Sequence, residues 1–271
     1  MAGQVLYEVS DAVAWITLDQ PDKLNAITFE MRDRLVDAVG DAGSDGEVRA
    51  VVLRGTGGCF TSGVDIGDRP DIQDPSTRSA ADDRAEIRSA ASAWTKLLRC
   101  PKPVLAQAER YCVGWGLEIA LHADVVVSTP DCRFFFPSVR NASGLPDSIM
   151  VLHHLGPQWA KRLLLLGDEV DGRTAERIGL VSETAPAERI AEVVAGLAQR
   201  AAAVPLAQAR HTKAVLNRAV ELSGATEIQA FAELANAAIR AEPDAHEFSR
   251  RLRTEGREAA LSWARARDRR D

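Results

Sequence analysis

Residues 102–125 read KPVLAQAERYCVGWGLEIALHADV, in which an apolar segment, a glycine turn and an apolar helical segment follow one another. Residues 104–108 are almost continuously apolar, which predicts a strand buried on both faces of a sheet. Gly114 and Gly116 mark a turn that opens a helix, and residues 124–128 have the pattern of the next strand. This strand–helix–strand unit predicts an α/β fold with parallel strands.

The same alternation of strand and helix continues on both sides of this unit. Towards the N-terminus the pattern predicts strands at residues 13–18 and 50–53, a helix from the N-cap Thr28 to residues 43–46, and a helix ending near Arg99. Towards the C-terminus it predicts strands at 133–136 and 180–181 and helices at 149–155 and 158–166. The polar, Asp-rich residues 68–83 lack apolar periodicity and predict a loop.

From residue 187 onward the pattern is only that of amphipathic helices, interrupted at Pro205, Gly224 and Pro243. We therefore expect an α/β core at residues 1–184 and a helical region at 185–271.

Composition narrows the class of protein. The 271 residues are 46% hydrophobic, and 33 Lys and Arg stand against 39 Asp and Glu, a formal net charge of −6. A mildly acidic chain without a basic block predicts no nucleic-acid partner, and no run approaches the roughly 18 apolar residues of a membrane span. The cysteines, Cys59, Cys100, Cys112 and Cys132, lack metal-binding spacing, which favours free thiols and a cytoplasmic location.

Several kinds of site are absent from the sequence. Residues 55–60, GTGGCF, lack the third glycine of a dinucleotide fingerprint, and no Gly-Lys-Ser/Thr follows them. The five histidines have no metal-binding spacing, and there is no G-x-S-x-G elbow. We therefore expect no nucleotide cradle, no metal site and no serine hydrolase.

Two segments favour ligand binding. In residues 59–67, CFTSGVDIG, Gly63 allows a ligand to approach the backbone, although an ordinary strand-to-loop turn has the same composition. The helix opened by Gly114 leaves its first amides without helical partners, which suits an anionic oxygen. Glu118 lies among apolar residues of that helix and is expected to be buried. The alternatives are a glutamate that reaches water near the helix dipole, or one that pairs with His122.

Taken in order, these segments resemble the enoyl-CoA hydratase/isomerase (crotonase) family. The stretches that carry the resemblance are DKLNA at 22–26, FTSGVDI at 60–66, KPV at 102–104 through GWGLE at 114–118, GD at 167–168, AERIGLV at 175–181 and TEGREA at 254–259. The resemblance implies a spiral of ββα units followed by a helical region, 185–271, that serves oligomerisation and closure of the site. The assembly that it implies is a homotrimer or a dimer of trimers.

The resemblance also implies an acyl-CoA thioester substrate, with no metal and no cofactor beyond the CoA of the substrate. The thioester oxygen is expected between the backbone N–H groups of Val64 and Trp115, an oxyanion hole. Trp115 occupies a position that is usually glycine in the family, so its indole is expected to reshape the acyl pocket. The CoA contacts implied by the family fall on Lys23, Leu24, Asn25, Ala26, Ser62, Asp65, Ile66 and Gly67.

Hydratases of this family use two glutamates, and Glu118 matches the first. The second falls on Ser138, or on Val139 if the one-residue gap is moved, and neither side chain carries a carboxylate. Asp147 matches the catalytic aspartate of some family isomerases and dehalogenase-type members. Its alternative role is the N-cap of a helix that begins at Ser148.

The sequence therefore predicts an enzyme that stabilises a thioester enolate and shifts a double bond, or adds or removes water. Glu118 and Asp147 are expected to exchange the protons. Other reactions of the family, namely decarboxylation, C–C cleavage and thioester hydrolysis, remain open. So does a non-catalytic subunit that binds CoA thioesters, because the second glutamate is missing.

Overall fold

The computed structural model describes residues 3–68, 79–141 and 144–266. Its strands are β1 (Gln4–Ser10), β2 (Val13–Asp19), β3 (Ala50–Gly55), β4 (Val104–Ala108), β5 (Tyr111–Val113), β6 (Val125–Ser128), β7 (Arg133–Phe135), β8 (Val170–Asp171) and β9 (Glu183–Thr184). Its helices are α1 (Phe29–Ser44), α2 (Ala80–Leu98), α3 (Trp115–His122), α4 (Ser138–Asn141), α5 (Met150–Lys161), α6 (Gly172–Arg177), α7 (Ile190–Ala202), α8 (Leu206–Val220), α9 (Thr226–Arg240), α10 (Pro243–Thr254) and α11 (Arg257–Ala266).

The strands form two sheets. The larger has the order β1-β2-β3-β4-β6-β9 and is parallel except for the β1–β2 pair, and the smaller has the order β5-β7-β8. Isolated parallel bridges join Ile27 to Val64 and Thr61 to Cys112, next to the smaller sheet. Successive strands such as β4 and β5, or β6 and β7, thus enter different sheets before a helix follows. The predicted α/β class and its repeated ββα units are confirmed.

Local sequence signals explain several element boundaries. Thr28 caps α1, because its side chain accepts a hydrogen bond from the N–H of Met31. α3 begins at Trp115, directly after Gly114, which has φ +54°. At such a positive φ a residue with a Cβ is strained, whereas glycine is not. The glycine turn therefore sets where the apolar helix begins.

Some predicted elements differ from the structure. The strand expected at residues 180–181 lies at β9 instead, and Leu180 and Val181 are apolar because they pack into the main core. Of the loop expected at residues 68–83, residues 69–78 lie outside the described residues, and 80–83 already belong to α2. β1 and β5 were not expected. β1 is a mostly exposed edge strand, and β5 has only three residues.

The C-terminal helices do not share one environment. α7 packs on the larger sheet, where Ile190, Val194 and Ala198 join a cluster with Val52 and Leu105. The expected division at residue 184 remains a prediction, since α7 shares this apolar cluster with the sheet. All four cysteines are buried and unpaired.

No single helix in the described ranges has both the length and the apolar composition to cross a membrane. The bent pair Ile190–Ala202 and Leu206–Ala225 passes that test only when its two helices are combined, across a 103° bend.

Candidate active site

A cavity of about 420 Å³ opens between the two glycine loops, α2, residues 136–141 and 145–147, and the C-terminal helices α9 and α10. Ser62, Gly63, Val64 and Ile66 line it from the first loop. Trp115 and Glu118 line it from α3, and Asp147 lies on the same wall. The cavity therefore brings together both predicted acids and both residues of the predicted oxyanion hole.

The first loop is held by hydrogen bonds on both sides of Val64. The N–H of Ile27 donates to the carbonyl of Gly63 at 2.7 Å, and the N–H of Asp65 donates to the carbonyl of Ile27 at 2.8 Å. The N–H of Val64 donates to no acceptor within the described residues. Gly63 has φ +92°, and a Cβ on it would lie 2.7 Å from the carbonyl oxygen of Val113. Only glycine allows the two loops to approach this closely.

The second loop presents the start of α3 beside the first. The N–H of Gly114 donates to the carbonyl of Phe135 at 3.1 Å, and the N–H of Glu118 closes the first helical turn on Gly114. The backbone N–H of Trp115 is left without an acceptor among the described residues. It lies at the positive end of α3, so both predicted donors remain available to an oxygen in the cavity.

Glu118 is 1% exposed, as predicted from its apolar neighbours. Its Oε2 accepts a hydrogen bond from Ser148 Oγ at 2.5 Å, and its Oε1 accepts one from the N–H of Ser148 at 3.1 Å. Burial raises the pKa of Glu118 to about 8, and the neighbouring charge of Asp147 adds to the rise. Burial and the charge of Asp147 therefore both favour the protonated form of this carboxyl.

His122 does not form the ion pair that its spacing allowed. Its Nδ1 donates to the backbone carbonyl of Glu118 at 2.7 Å and lies 3.9 Å from Glu118 Oε2. Burial lowers the pKa of His122 to about 4, so the ring is neutral.

Asp147 is bound by indole groups and does not cap a helix. α5 begins at Met150, and its N-cap, Ile149, makes no side-chain capping bond, so the alternative role of Asp147 as an N-cap is wrong. Asp147 Oδ2 accepts hydrogen bonds from Trp115 Nε1 at 2.7 Å and from Trp94 Nε1 at 3.2 Å. The chain turns here because Ser148 is bound to Glu118, so Asp147 is presented to the cavity.

The indole of Trp115 is held by aromatic and cationic neighbours. It makes edge contacts with Phe29 at 5.3 Å and with Trp94 at 5.7 Å between ring centroids. The guanidinium of Arg32 lies 5.5 Å from its ring centroid. Although Trp115 lines the cavity as expected, its polar edge is directed to Asp147.

The residues predicted to contact CoA form a hydrogen-bonded group next to the cavity. Asn25 is fully buried, and its Nδ2 donates to the carbonyls of Thr56 and Cys59. The N–H of Ser62 donates to the carbonyl of Leu24 at 2.9 Å. Ser62 and Ile66 line the cavity, whereas six others do not: Lys23, Leu24, Asn25, Ala26, Asp65 and Gly67.

Asp65 connects Lys23, in the first of the two segments predicted to contact CoA, with Gly67, in the second. Its Oδ2 lies 2.6 Å from Lys23 Nζ, and its Oδ1 accepts a hydrogen bond from the N–H of Gly67 at 3.0 Å. Burial acts to raise the pKa of Asp65, but the bonds from Lys23 and Gly67 outweigh it and hold the pKa below its usual value. These contacts fix the loop, and contact with CoA remains a prediction.

A profile of the enoyl-CoA hydratase/isomerase family matches residues 8–249. The chain belongs to this family. A probable enoyl-CoA hydratase of Mycobacterium bovis is 28% identical over 221 residues, which cover 81% of this chain and 83% of that protein. The (E)-benzylidenesuccinyl-CoA hydratase of Thauera aromatica is 30% identical over 223 residues, 80% of this chain and 84% of its own.

Solved structures agree with the family assignment. An enoyl-CoA hydratase/isomerase from Xanthobacter autotrophicus Py2 superposes with a TM-score of 0.91 at 30% identity, over 97% of each chain. An enoyl-CoA hydratase from Mycobacterium smegmatis superposes with a TM-score of 0.88 at 29% identity, over 97% of this chain and 93% of its own. The predicted crotonase-type fold is confirmed.

This member of the enoyl-CoA hydratase/isomerase family has no carboxylate at either position considered for a second glutamate. Ser138, at the start of α4, lines the cavity. Val139 packs against the main core instead. The side chain at this point of the cavity wall is therefore a hydroxyl, and the carboxyl groups that line the cavity are those of Asp83, Glu118 and Asp147.

Several residues of the site were not found from the sequence. Trp94 of α2 reaches Asp147, and α9 and α10 contribute Arg240, His246 and Phe248 to the cavity wall. Arg240 joins α9 to α2 through Asp83 at 3.5 Å and Glu86 at 3.2 Å. The available signal was the amphipathic pattern of these helices, which identifies a buried face without indicating what it contacts. Across the described ranges, no three His, Cys, Asp or Glu converge to hold a metal ion.

Proposed function

We propose that this protein acts on an acyl-CoA thioester and stabilises its enolate, in order to shift a double bond or to add or remove water. The observation that carries the proposal is that Glu118 and Asp147 line one cavity together with Val64 and Trp115, whose N–H groups have no acceptor among the described residues. The family assignment supports a thioester substrate.

The thioester oxygen accepts hydrogen bonds from the N–H groups of Val64 and Trp115. These donors hold the negative charge that develops on the oxygen when a proton leaves the α- or γ-carbon, or when a nucleophile adds at the β-carbon. A preorganised donor of this kind contributes roughly 3–4 kcal/mol to transition-state stabilisation. No metal or redox cofactor is needed for such a step, since the thioester itself accepts the electron pair.

The two acids exchange protons with the substrate. Glu118 and Asp147 supply the proton-transfer groups that hydratases of the family take from two glutamates, with Asp147 replacing the acid missing at Ser138. The CoA moiety is proposed to lie along Lys23, Ala26, Ser62 and Ile66 and the loop between them. This arrangement leaves the acyl chain to occupy the cavity between Trp115 and Phe248.

Turnover of a thioester panel tests the proposed function. We expect 2-enoyl-, 3-enoyl- or 3-hydroxyacyl-CoA substrates to be converted, with a product that either gains or loses one water or keeps its mass with a shifted double bond. Mass spectrometry and proton NMR of the products measure this. If the products instead show loss of carbon dioxide, cleavage of a C–C bond or release of free CoA, the protein catalyses another reaction of the family. Thioester binding in calorimetry without any turnover would establish a non-catalytic subunit.

We also propose that the protein assembles as a homotrimer or a dimer of trimers. α8, the turn after it and α9 expose large apolar side chains, namely Val215, Leu216, Leu222, Phe231 and Leu234. Phe231 alone is 73% exposed. Large apolar side chains exposed in such number on neighbouring segments of the chain are typical of subunit interfaces.

Sedimentation measures the assembly directly. We expect a trimeric or hexameric mass for the parent, and a monomeric mass for a variant with Leu216→Glu and Phe231→Glu, because both charges would be buried in the interface. Glu47→Lys, on the exposed loop before β3, serves as the control and keeps the parental mass. A monomeric parent, or a double variant with unchanged mass, would refute the proposal.

A further inference from the structure

Two tryptophans of different helices converge on one carboxylate oxygen. Trp115 of α3 donates to Asp147 Oδ2 at 2.7 Å, and Trp94 of α2 donates to the same atom at 3.2 Å. We propose that Trp94 and Trp115 are positioning residues that hold Asp147 ionised, which makes Asp147 the proton acceptor and Glu118 the proton donor. This inference rests on the proposed function and assigns the two acids their separate roles.

The indole N–H explains why Asp147 is held as a carboxylate. An indole nitrogen only donates a hydrogen bond, so it has no lone pair to offer a protonated carboxyl. A proton on Oδ2 of Asp147 would face two donors and lose both hydrogen bonds. Hydrogen bonds to an ionised acceptor are also stronger than those to a neutral one. The two indole donors therefore keep a proton off Oδ2, and their stronger bonds to an ionised carboxylate favour the charged form of Asp147.

The surroundings of Trp115 restrict the direction of its N–H. Arg32 is nearly buried, and its Nε and one terminal nitrogen donate to Asp33 at 2.9 and 2.7 Å. This holds the guanidinium over the ring of Trp115, where its positive charge adds to the attraction between the indole and Asp147. Edge contacts with Phe29 and Trp94 fix the ring plane. Trp115 is therefore held with its N–H on Asp147.

The main chain of Asp147 is held as well. Gln229 of α9 donates from Nε2 to the carbonyl of Asp147 at 2.6 Å. The N–H of Ser148, the next residue, donates to Glu118 Oε1. The two carboxyl groups therefore belong to one connected set of hydrogen bonds, and neither can turn away from the cavity independently.

Negative charge on Asp147 keeps the proton on Glu118. Burial and then the charge of Asp147 place the pKa of Glu118 at about 8, so near neutral pH the pair shares one negative charge. Other charged or titratable groups face this pair or its cavity from five helices, namely Arg32 of α1, Asp83 of α2, His122 of α3, Arg240 of α9 and His246 of α10. His122 is neutral, and Arg240 is paired with Asp83 and Glu86. Asp147 is the charged group that adds to the rise in the pKa of Glu118.

With these roles, Asp147 and Glu118 can carry out a double-bond shift without a further reactant to supply or accept protons. Asp147 takes a proton from one substrate carbon, and the electron pair of that C–H bond moves into the thioester enolate. The electron pair returns to form a C–H bond at the second carbon with the proton of Glu118. Proton transfer from Asp147 to Glu118 restores the resting pair. In hydration, Asp147 takes the proton of the attacking water and Glu118 protonates the α-carbon.

Phenylalanine variants remove the N–H groups and keep the aromatic rings. We expect Trp115→Phe and Trp94→Phe each to lower kcat by about 10-fold, with KM changed little, because the loss of one such hydrogen bond is worth about 1.4 kcal/mol. We also expect the acidic limb of the kcat/KM profile to move to higher pH by about one unit, since a less stabilised carboxylate takes up a proton more readily. Trp15→Phe, on β2, is the control and leaves the profile unchanged.

A carbon-13 NMR titration of labelled carboxyl groups gives a second measurement that needs no substrate. In the parent at pH 7 we expect Asp147 ionised and Glu118 protonated, with the two signals assigned through Asp147→Asn and Glu118→Gln. Folded phenylalanine variants whose pH profiles superimpose on that of the parent would overturn the inference while the proposed function stands. The opposite order of ionisation would also overturn it. If Asp147 and Glu118 titrate as expected but the protein turns over no thioester, only the proposed function is rejected.

Discussion

Replacing Glu118 by glutamine is expected to lower kcat by about 10²- to 10⁴-fold, the usual contribution of a general acid or base. Glutamine has the size of glutamate: its Oε1 can accept the hydrogen bond from the N–H of Ser148, and its Nε2 can donate to Ser148 Oγ in place of the bond that Glu118 Oε2 accepts. It is neutral, as protonated Glu118 is below pH 8 or so, but its amide has no acidic proton to transfer. Thioester affinity should therefore change little. Steady-state kinetics and calorimetry separate the two effects.

Thermal melting provides the control on the fold of Glu118→Gln. The pKa of Glu118 rises from 4.5 to about 8 on folding, so the folded state holds a proton that the unfolded state releases. This contribution to stability is complete below pH 4.5 and is lost as the pH rises to about 8. The glutamine variant does not lose this stability. Its melting temperature relative to that of the parent should therefore rise as the pH is raised from 4.5 to about 8. Glu192→Gln, an exposed substitution on α7, should match the parent in rate and melting. A variant at full kcat contradicts the role of Glu118 in proton transfer, and a variant that melts in parallel with the parent contradicts the raised pKa of Glu118.

Replacing Asp147 by asparagine is expected to reduce kcat by a similar factor, about 10²- to 10⁴-fold. Asparagine Oδ1 still accepts the hydrogen bonds of Trp94 and Trp115, so the site keeps its shape. The variant has no carboxylate to accept a proton. It also removes the negative charge beside Glu118, which lowers the pKa of Glu118, although burial continues to raise it.

Two measurements check Asp147→Asn. Single-turnover kinetics give the loss in the chemical step, and carbon-13 NMR follows the titration of Glu118. Asp41→Asn, on the exposed face of α1, is the matched control. An unchanged titration of Glu118 would show that the two carboxyls are not electrostatically connected. If Asp147→Asn and Glu118→Gln both kept the full rate, the catalytic assignment would fail.

Features that depend on neighbouring residues were predictable from the sequence. β4 has the bounds expected from its apolar run, Thr28 caps α1 as its position suggests, and Glu118 is buried as its apolar neighbours imply. In each case the signal lies within one helix turn or one strand. The order of the family motifs then placed Val64 and Trp115 at one site. Packing against other elements was not required to reach these conclusions.

Features that depend on distant contacts were not predictable. Trp94 and Trp115 lie 53 and 32 residues from Asp147, and no local pattern indicates that their indoles meet it. The N-cap alternative for Asp147 relied on local helix signals alone. Ser148 is tied to Glu118, so the helix begins two residues later at Met150. The strand expected at Leu180 failed for the same reason, because apolar residues in a buried turn resemble those of a short strand.

Helix α9 has two different faces within three residues. Gln229 holds the carbonyl of Asp147, and Phe231 is largely exposed. A subunit that covers Phe231 restrains the helix that also anchors the main chain of the proton acceptor. Assembly and catalytic geometry are then thermodynamically linked, so that each free-energy change in one is matched by a change in the other. In the proposed assembly, the concentration of the protein would then determine its specific activity.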